Sequence, residues 1–222
     1  MFRRWPQWLL TELLGAGFLI SCLSYSATAG IEPDNTSEVV FAYEGPGPVT
    51  LLVHPDGSGP DFTAARTEWG ETVDVSITLI LRDNLDDPIA GYPAEDLYLV
   101  SEDGGLVLCN GGSIADRNTD SLGMTQWTQP LAAGGASQAE AVVMANGSPV
   151  WALESRVPLQ FNSPDMNGDL VVNLSDLQQF AVAFFESRNN HSSDFRADFQ
   201  RDGQINLADL ARFAPAFGTA CP

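Results

Sequence analysis

Between residues 30 and 162, apolar positions come as short runs or alternate with polar ones, and Gly, Pro, Asn and Asp separate the runs. Alternation with period two places successive side chains on opposite faces of a strand. Strands are therefore predicted at Val49–Val53, Thr72–Leu81, Asp96–Ser101, Met124–Thr128, Gln138–Ala145 and Val150–Phe161. Turn chemistry falls between them, at Pro55-Asp56-Gly57, Arg82–Pro88, Glu102–Gly105 and Asn146-Gly147, residue types that preset or tolerate the dihedrals a reversal needs. This pattern predicts a β-sandwich of about 130 residues, large enough to bury its own core.

The period changes after residue 163. Leu174, Leu177, Ala181 and Phe184 fall at helical spacing, and so do Leu207, Leu210, Ala214 and Phe217, which predicts two amphipathic helices packed by these stripes. The two sets lie 33 positions apart, and residues 165–184 match residues 198–217 at ten of twenty positions. Self-similarity of this kind marks two copies of one supersecondary unit. Pro215 should interrupt the second helix or kink its last turn, and Gly218 suits the residue just past its end. The expected fold is mainly β with a small α C-terminal module, divided at 30–162 and 163–222.

An acidic twelve-residue loop precedes each helix, at residues 165–176 and 198–209, with oxygen-bearing side chains at loop positions 1, 3, 5, 9 and 12 in both. That is the ligand spacing of an EF-hand-type calcium loop, because a hard cation takes six to eight oxygens. At position 8, Val172 and Ile205 are apolar and are expected to join the two loops through a short β-bridge.

A loop followed by one helix, given twice, with NGDLVVNLSDL in the first copy and RDGQINLADL in the second, resembles the dockerin type I domain of bacterial polysaccharide-degrading complexes. The resemblance covers the chain from about Ser163 onward and implies two Ca²⁺ ions. One would take Asp165, Asn167, Asp169, Asn173 and Asp176 with the Val171 carbonyl. The other would take Asp198, Gln200, Asp202, Asn206 and Asp209 with the Gln204 carbonyl. The family's partner is a cohesin, contacted through residues just ahead of the position-12 ligand. Here these are Leu174, Ser175, Leu207 and Ala208 in place of the usual hydroxyl pairs. Position 6 carries Gly203 in the second loop but Leu170 in the first; a left-handed leucine costs roughly 1–2 kcal/mol.

In the sandwich region, ITLILRDNLDDPIAGYPAEDLYLVSEDGG and TDSLGMTQWTQPLAAGG resemble bacterial immunoglobulin-like domains of the invasin and intimin type. The matching turns are Asp83–Gly91 and Asp120–Gly123. The resemblance implies a spacer, adhesin or carbohydrate binder.

Residues 1–29 read as an export signal: Arg3 and Arg4, an apolar run from Leu9 to Leu23, and Ala27-Thr28-Ala29 as a small-x-small cleavage site. Leu19-Ile20-Ser21-Cys22 also fits a lipoprotein box, which would put a lipid on Cys22 and hold the protein at the cell surface. No other stretch approaches the ~20 apolar residues of a transmembrane span. All ten basic residues are arginine, and 29 acidic residues bring the formal net charge to −19. Such a field repels nucleic acid and anionic lipid and suits cation binding. Export permits a disulfide between Cys109 and Cys221; free thiols or an intermolecular bond remain open.

Catalytic chemistry is sparse. His54 follows a strand beside Pro55-Asp56 and reads as an exposed turn residue, and His191 lies in a polar linker. Asp86-Asp87 and Glu102-Asp103 could act as glycosidase carboxylates, but their turn-rich setting explains them as turn residues. Trp127, Trp151, Tyr92, Tyr98 and Phe161 could line a sugar-binding face or fill the core. The sequence thus predicts an exported, non-enzymatic protein that binds two calcium ions for extracellular assembly. The alternatives are a carbohydrate-binding or adhesive protein recognising an extracellular glycan, and a small dockerin-bearing glycoside hydrolase.

Overall fold

The computed structural model describes residues 36–150, 155–190 and 194–222. Residues 1–29, expected to be an export signal, with Cys22, and also Trp151 and His191, lie outside them.

The strands are β1 (Glu38–Phe41), β2 (Val49–Leu52), β3 (Ala65–Thr67), β4 (Thr72–Val73), β5 (Ile77–Ile80), β6 (Leu97–Ser101), β7 (Leu106–Leu108), β8 (Met124–Trp127), β9 (Ala133–Gly135), β10 (Ala141–Ala145), β11 (Ser148–Pro149), β12 (Arg156–Val157) and β13 (Leu159–Asn162). Helices α1 (Leu174–Asn190) and α2 (Leu207–Phe213) follow. Among the described residues the chain is mainly β, with both α-helices in the C-terminal part.

Antiparallel β1-β5-β8 forms one sheet; β10 pairs with β6, β11 and β12 in another; β13-β2-β3-β4 forms a third; β7 pairs with β9. Their inward residues meet in one core that includes Leu51, Phe62, Ile77, Leu79, Leu97, Leu99, Trp127, Val143 and Phe161, an arrangement consistent with a sandwich. Trp127 is fully buried, and its indole N–H donates to the Ser113 carbonyl at 2.9 Å. Asn146 and Gly147, at φ 48° and 81°, turn β10 into β11, as a two-residue hairpin requires.

The expected run Thr72–Leu81 is two strands. Asp74 breaks it by accepting from the Ser76 N–H (2.8 Å) and hydroxyl. Within the expected run to Phe161, β12 and β13 are separated by Pro158, which has no N–H to donate to a ladder.

Every residue of β2 is buried, the sign of a strand covered on both faces. Leu51 faces the sandwich core, whereas Leu52 enters a second core with Met166, Val172, Phe180, Ala183, Phe199, Ile205, Phe213 and Ala216. Leu52 therefore carries the sandwich region across the expected boundary at 162/163, and the two cores lie within one compact unit, Ile31–Pro222. β13 pairs in parallel with β2 and leads directly into the first loop. A disulfide between Cys109 and Cys221, with Cα atoms 5.7 Å apart, ties the sandwich to the C-terminal tail.

The second core is built from residues 33 positions apart: Met166 with Phe199, Val172 with Ile205, Phe180 with Phe213, and Ala183 with Ala216. Ring centroids lie 5.9 Å apart for Phe180–Phe213 and 6.0 Å for Phe180–Phe199. The buried face differs from the predicted stripe. Leu174 and Leu207 are each 71% exposed, because the first helical residue lies just outside the face while Val172 and Ile205 of the loops fill the inward place. Helix α2 ends at Phe213, and a 3-10 turn carrying Pro215 follows.

Candidate metal centre

In the first loop Asp165 is fully buried and organises the chain around it. Its Oδ1 accepts from the N–H groups of Gly168 (2.9 Å) and Asp169 (3.1 Å), and its Oδ2 from that of Leu170 (2.8 Å). Asp176, also fully buried, accepts from the N–H groups of Asn167 (3.2 Å) and Asn173 (2.9 Å), bracketing the loop. Asp169 Oδ1 accepts from the Val171 N–H at 3.0 Å, and the Asn167 side-chain amide donates to Asp169 Oδ2 at 3.0 Å. Asn173 donates through its side chain to the Val171 carbonyl at 3.1 Å. Hydrogen bonds thus link all six positions proposed for the first ion, and carboxylate oxygens of Asp165, Asp169 and Asp176 lie within 4.8 Å of one another.

The second loop repeats five of these bonds; the Arg201 N–H, at the place of Gly168, donates instead to the Asp198 carbonyl (3.4 Å). Asp198 Oδ1 accepts from the Asp202 N–H (3.2 Å) and Oδ2 from the Gly203 N–H (2.9 Å). Asp209 accepts from the N–H groups of Gln200 (3.0 Å) and Asn206 (2.9 Å), and Asp202 from that of Gln204 (3.0 Å). Each of these five is the first loop's bond moved by 33 residues. Asp198, Asp202 and Asp209 do not form a cluster as tight as that of the first loop.

Both loops take the left-handed conformation at positions 4 and 6, and each has one glycine for two such places. The first loop has Gly168 (φ 72°) and Leu170 (φ 67°); the second has Arg201 (φ 58°) and Gly203 (φ 77°). Leu170 is therefore strained as expected, and Arg201 shares that condition, with its guanidinium 4.6 Å from the Phe195 ring centroid.

Positions 9 and 12 also start the helices. Asn206 Oδ1 accepts from the Ala208 N–H at 2.7 Å, and with Asp209 it completes a capping box. Asn173 Oδ1 accepts from the Ser175 N–H at 2.8 Å in the same way. Capping satisfies N–H groups that helix starts leave without partners.

Burial pushes the Asp165 carboxyl above the usual carboxylate range, the Asp176 charge adds to this, and the Leu170 N–H opposes it. Burial also raises Asp198 and Asp209, against the N–H groups of Gly203 and Asn206 respectively. Charge gathered in this way is costly without a counter-charge. The donor set, all oxygen from carboxylates, amides and carbonyls, fits a hard divalent cation such as Ca²⁺.

The sandwich supports both loops. Gly135 N–H donates to the Asp165 carbonyl at 2.9 Å, and a Cβ at Gly134 would collide with Asp165 Oδ2. The buried Asn162 amide donates to the Asp198 carbonyl at 3.2 Å. Gly70, between β3 and β4, lies against Gln200 and Asp202.

The apolar bridge expected between Val172 and Ile205 does not form. Val172 instead exchanges backbone hydrogen bonds with the C-terminal tail: Gly218 N–H donates to its carbonyl (2.8 Å), and its own N–H donates to Thr219 (2.9 Å). The Cys221 disulfide lies in the same tail, and Val172 and Ile205 turn their side chains into the core between the two units. Of the residues proposed for a partner, Leu174, Ser175 and Leu207 are exposed and Ala208 is half-buried.

Other candidates have structural roles. His54 is buried at 6% exposure, contrary to the expected exposed turn, because its backbone bridges to Ala132. Its Nδ1 lies 3.2 Å from the Ser58 hydroxyl, and its Nε2 has no partner. Asp103 accepts from the Gly105 N–H (2.8 Å) and the Ser137 hydroxyl (2.7 Å), and Glu102 pairs with Arg156 at 2.9 Å. Asp87 donates its N–H to Asp83 at 3.0 Å within the turn, and Asp86 has φ 67°. Trp127 and Phe161 lie in the core, and Tyr92 packs against it. Tyr98 is half-buried in β6.

Among the described residues no helix is long and apolar enough to cross a membrane. No family model matches the chain, and no curated protein matches it in sequence. Among solved structures, the Lin-41 filamin domain aligns at 12% identity and a TM-score of 0.29, over 60% of this chain and 98% of that one, a likeness too loose to assign the fold or a function.

Proposed function

We propose that this is an exported, non-catalytic modular protein whose C-terminal part is dockerin-like and binds two calcium ions, carried on an immunoglobulin-like sandwich. The observation that carries this reading is the bond-by-bond repetition of the loops. In both loops the position-1 carboxylate collects the N–H groups of positions 5 and 6 and the position-12 carboxylate those of positions 3 and 9, and both turn left-handed at positions 4 and 6. Capping alone accounts for positions 9 and 12, but it leaves the buried Asp165 beside the Asp169 and Asp176 charges with no cation against it, whereas Arg201 offsets part of the Asp198 charge. One ion would rest on Asp165, Asn167, Asp169, Asn173, Asp176 and the Val171 carbonyl. The other would rest on Asp198, Gln200, Asp202, Asn206, Asp209 and the Gln204 carbonyl. Calcium then neutralises part of the −19 charge and holds the helix starts in place. With Leu174 and Leu207 exposed at matching places, the module would present a two-fold-like apolar face to a cohesin-like partner for extracellular assembly. An adhesive or glycan-binding role for the sandwich is the second reading, though Trp127 and Phe161 are buried and offer no face to a sugar.

Unfolding by urea in calcium and in chelator tests the calcium reading. A ligand that binds only the folded state stabilises it by about 2.7 kcal/mol at one hundred times its Kd. The unfolding midpoint should therefore rise with calcium concentration and not with potassium at equal ionic strength. Identical midpoints in millimolar calcium and in chelator would sink the reading.

A further inference from the structure

We propose that the Cys109–Cys221 disulfide straps the C-terminal tail onto the first loop and sets that loop's cation affinity, so that reduction weakens the first site and spares the second. The inference rests on the calcium reading above.

Three backbone hydrogen bonds join tail and loop. Gly218 N–H donates to Val172 (2.8 Å), Val172 N–H to Thr219 (2.9 Å), and Cys221 N–H to Leu170 (3.2 Å), around an antiparallel bridge between Val171 and Ala220. These bonds clamp the stretch that contains the left-handed Leu170 and the Val171 carbonyl proposed as a ligand. Ile205, at the matching place in the second loop, has no such backbone partner among the described residues. After the 3-10 turn at Ala214–Ala216 the tail belongs to no strand or helix, and three hydrogen bonds of modest net worth hold it weakly by themselves.

Cys221 supplies the tie. Its partner Cys109 is buried and fixed by its own N–H donating to Ala132 at 3.1 Å. Cys109 directly follows β7, whose Val107 packs on Gly168 of the same loop. Tail and β7 therefore grip the first loop from two sides, and the disulfide links the two grips.

The step that releases the strap balances with a dithiol reductant. Its thiolate attacks the half-buried Cys221 sulfur and displaces Cys109 as a thiolate. Its second thiol then displaces Cys221, closing the reductant's own disulfide, so that two electrons and two protons pass to the protein. Linkage is reciprocal: a cation in the first loop must resist reduction by the same factor that reduction weakens the cation.

The test titrates calcium into the full chain, using Asp198→Ala to isolate the first loop and Asp165→Ala to isolate the second. In each background the disulfide-bonded protein is compared with Cys109→Ser/Cys221→Ser. The first loop's Kd should rise about five- to a hundredfold, and the second loop's should stay within about twofold. Gly218→Ala, which strains the start of the tail at φ 89° with the disulfide intact, should also weaken the first loop selectively; it serves if the double variant loses its helical circular dichroism. An unchanged first-loop Kd in both variants overturns the strap and leaves the calcium reading standing. Equal weakening of both loops overturns it too, since the bond would then hold the whole module. Absence of binding by either loop in the disulfide-bonded protein removes the calcium reading itself.

Discussion

Gly134 shows how one residue can join two parts of the molecule. Its missing side chain makes room for Asp165 Oδ2. Gly134→Ala should destabilise the protein by roughly 1–3 kcal/mol, as forced overpacking does, and an unchanged urea midpoint would contradict the contact. Leu170 makes the opposite case. At φ 67° it occupies a conformation glycine takes freely, so Leu170→Gly should raise stability by about 0.5–1 kcal/mol in chelator. His54 gives a pH test. Burial holds its imidazole below the usual range, against the nearby Asp56 charge. The unfolded chain then binds the extra proton first, so stability is lost as pH falls below about 6.5; His54→Gln should flatten that slope. The two matching acidic loops were legible because their spacing is local. The burial of His54 was not, since it comes from a backbone bridge to Ala132, 78 residues away (132 − 54).

At the scale of elements, the two loop–helix units hold each other through equivalent residues. Phe180 and Phe213 meet at the centre with their rings tilted by 37°, and each truncation to Ala should cost about 3–5 kcal/mol, measured by urea unfolding at fixed calcium. Truncating the exposed Leu174 or Leu207 should change stability by no more than about 0.5 kcal/mol. The 33-residue repeat and the helix interrupted at Pro215 could be read from the sequence, but the buried face could not be fixed to better than part of a turn. Loop residues Val172 and Ile205 occupy the place that periodicity assigns to Leu174 and Leu207. Among the strands, β9 was missed because Ala133-Gly134-Gly135 looks like a turn; Gly134 leaves room for Asp165 of the first loop, and a Cβ at Gly135 would collide with the Gly105 carbonyl. β3 and β7 have only three residues each, too few to show alternation.

For the whole molecule, the sequence pointed to two modules, and the structure gives two cores in one compact unit. What joins them is long-range: Leu52 in the second core, Gly135 on Asp165, Asn162 on Asp198, and the disulfide. None of these leaves a local signal. Chelation should therefore broaden or shift the single unfolding transition rather than melt the helices alone, and near- and far-ultraviolet circular dichroism should follow the same curve.

The most direct measurement is calorimetric titration of Ca²⁺ into the chelator-treated, disulfide-bonded chain, repeated with Asp165→Ala and Asp198→Ala. The account predicts two binding events, one abolished by each substitution. No calcium-dependent heat in the parent chain at any temperature tried, together with no change in helical circular dichroism, would contradict it and leave the loops as helix-capping turns.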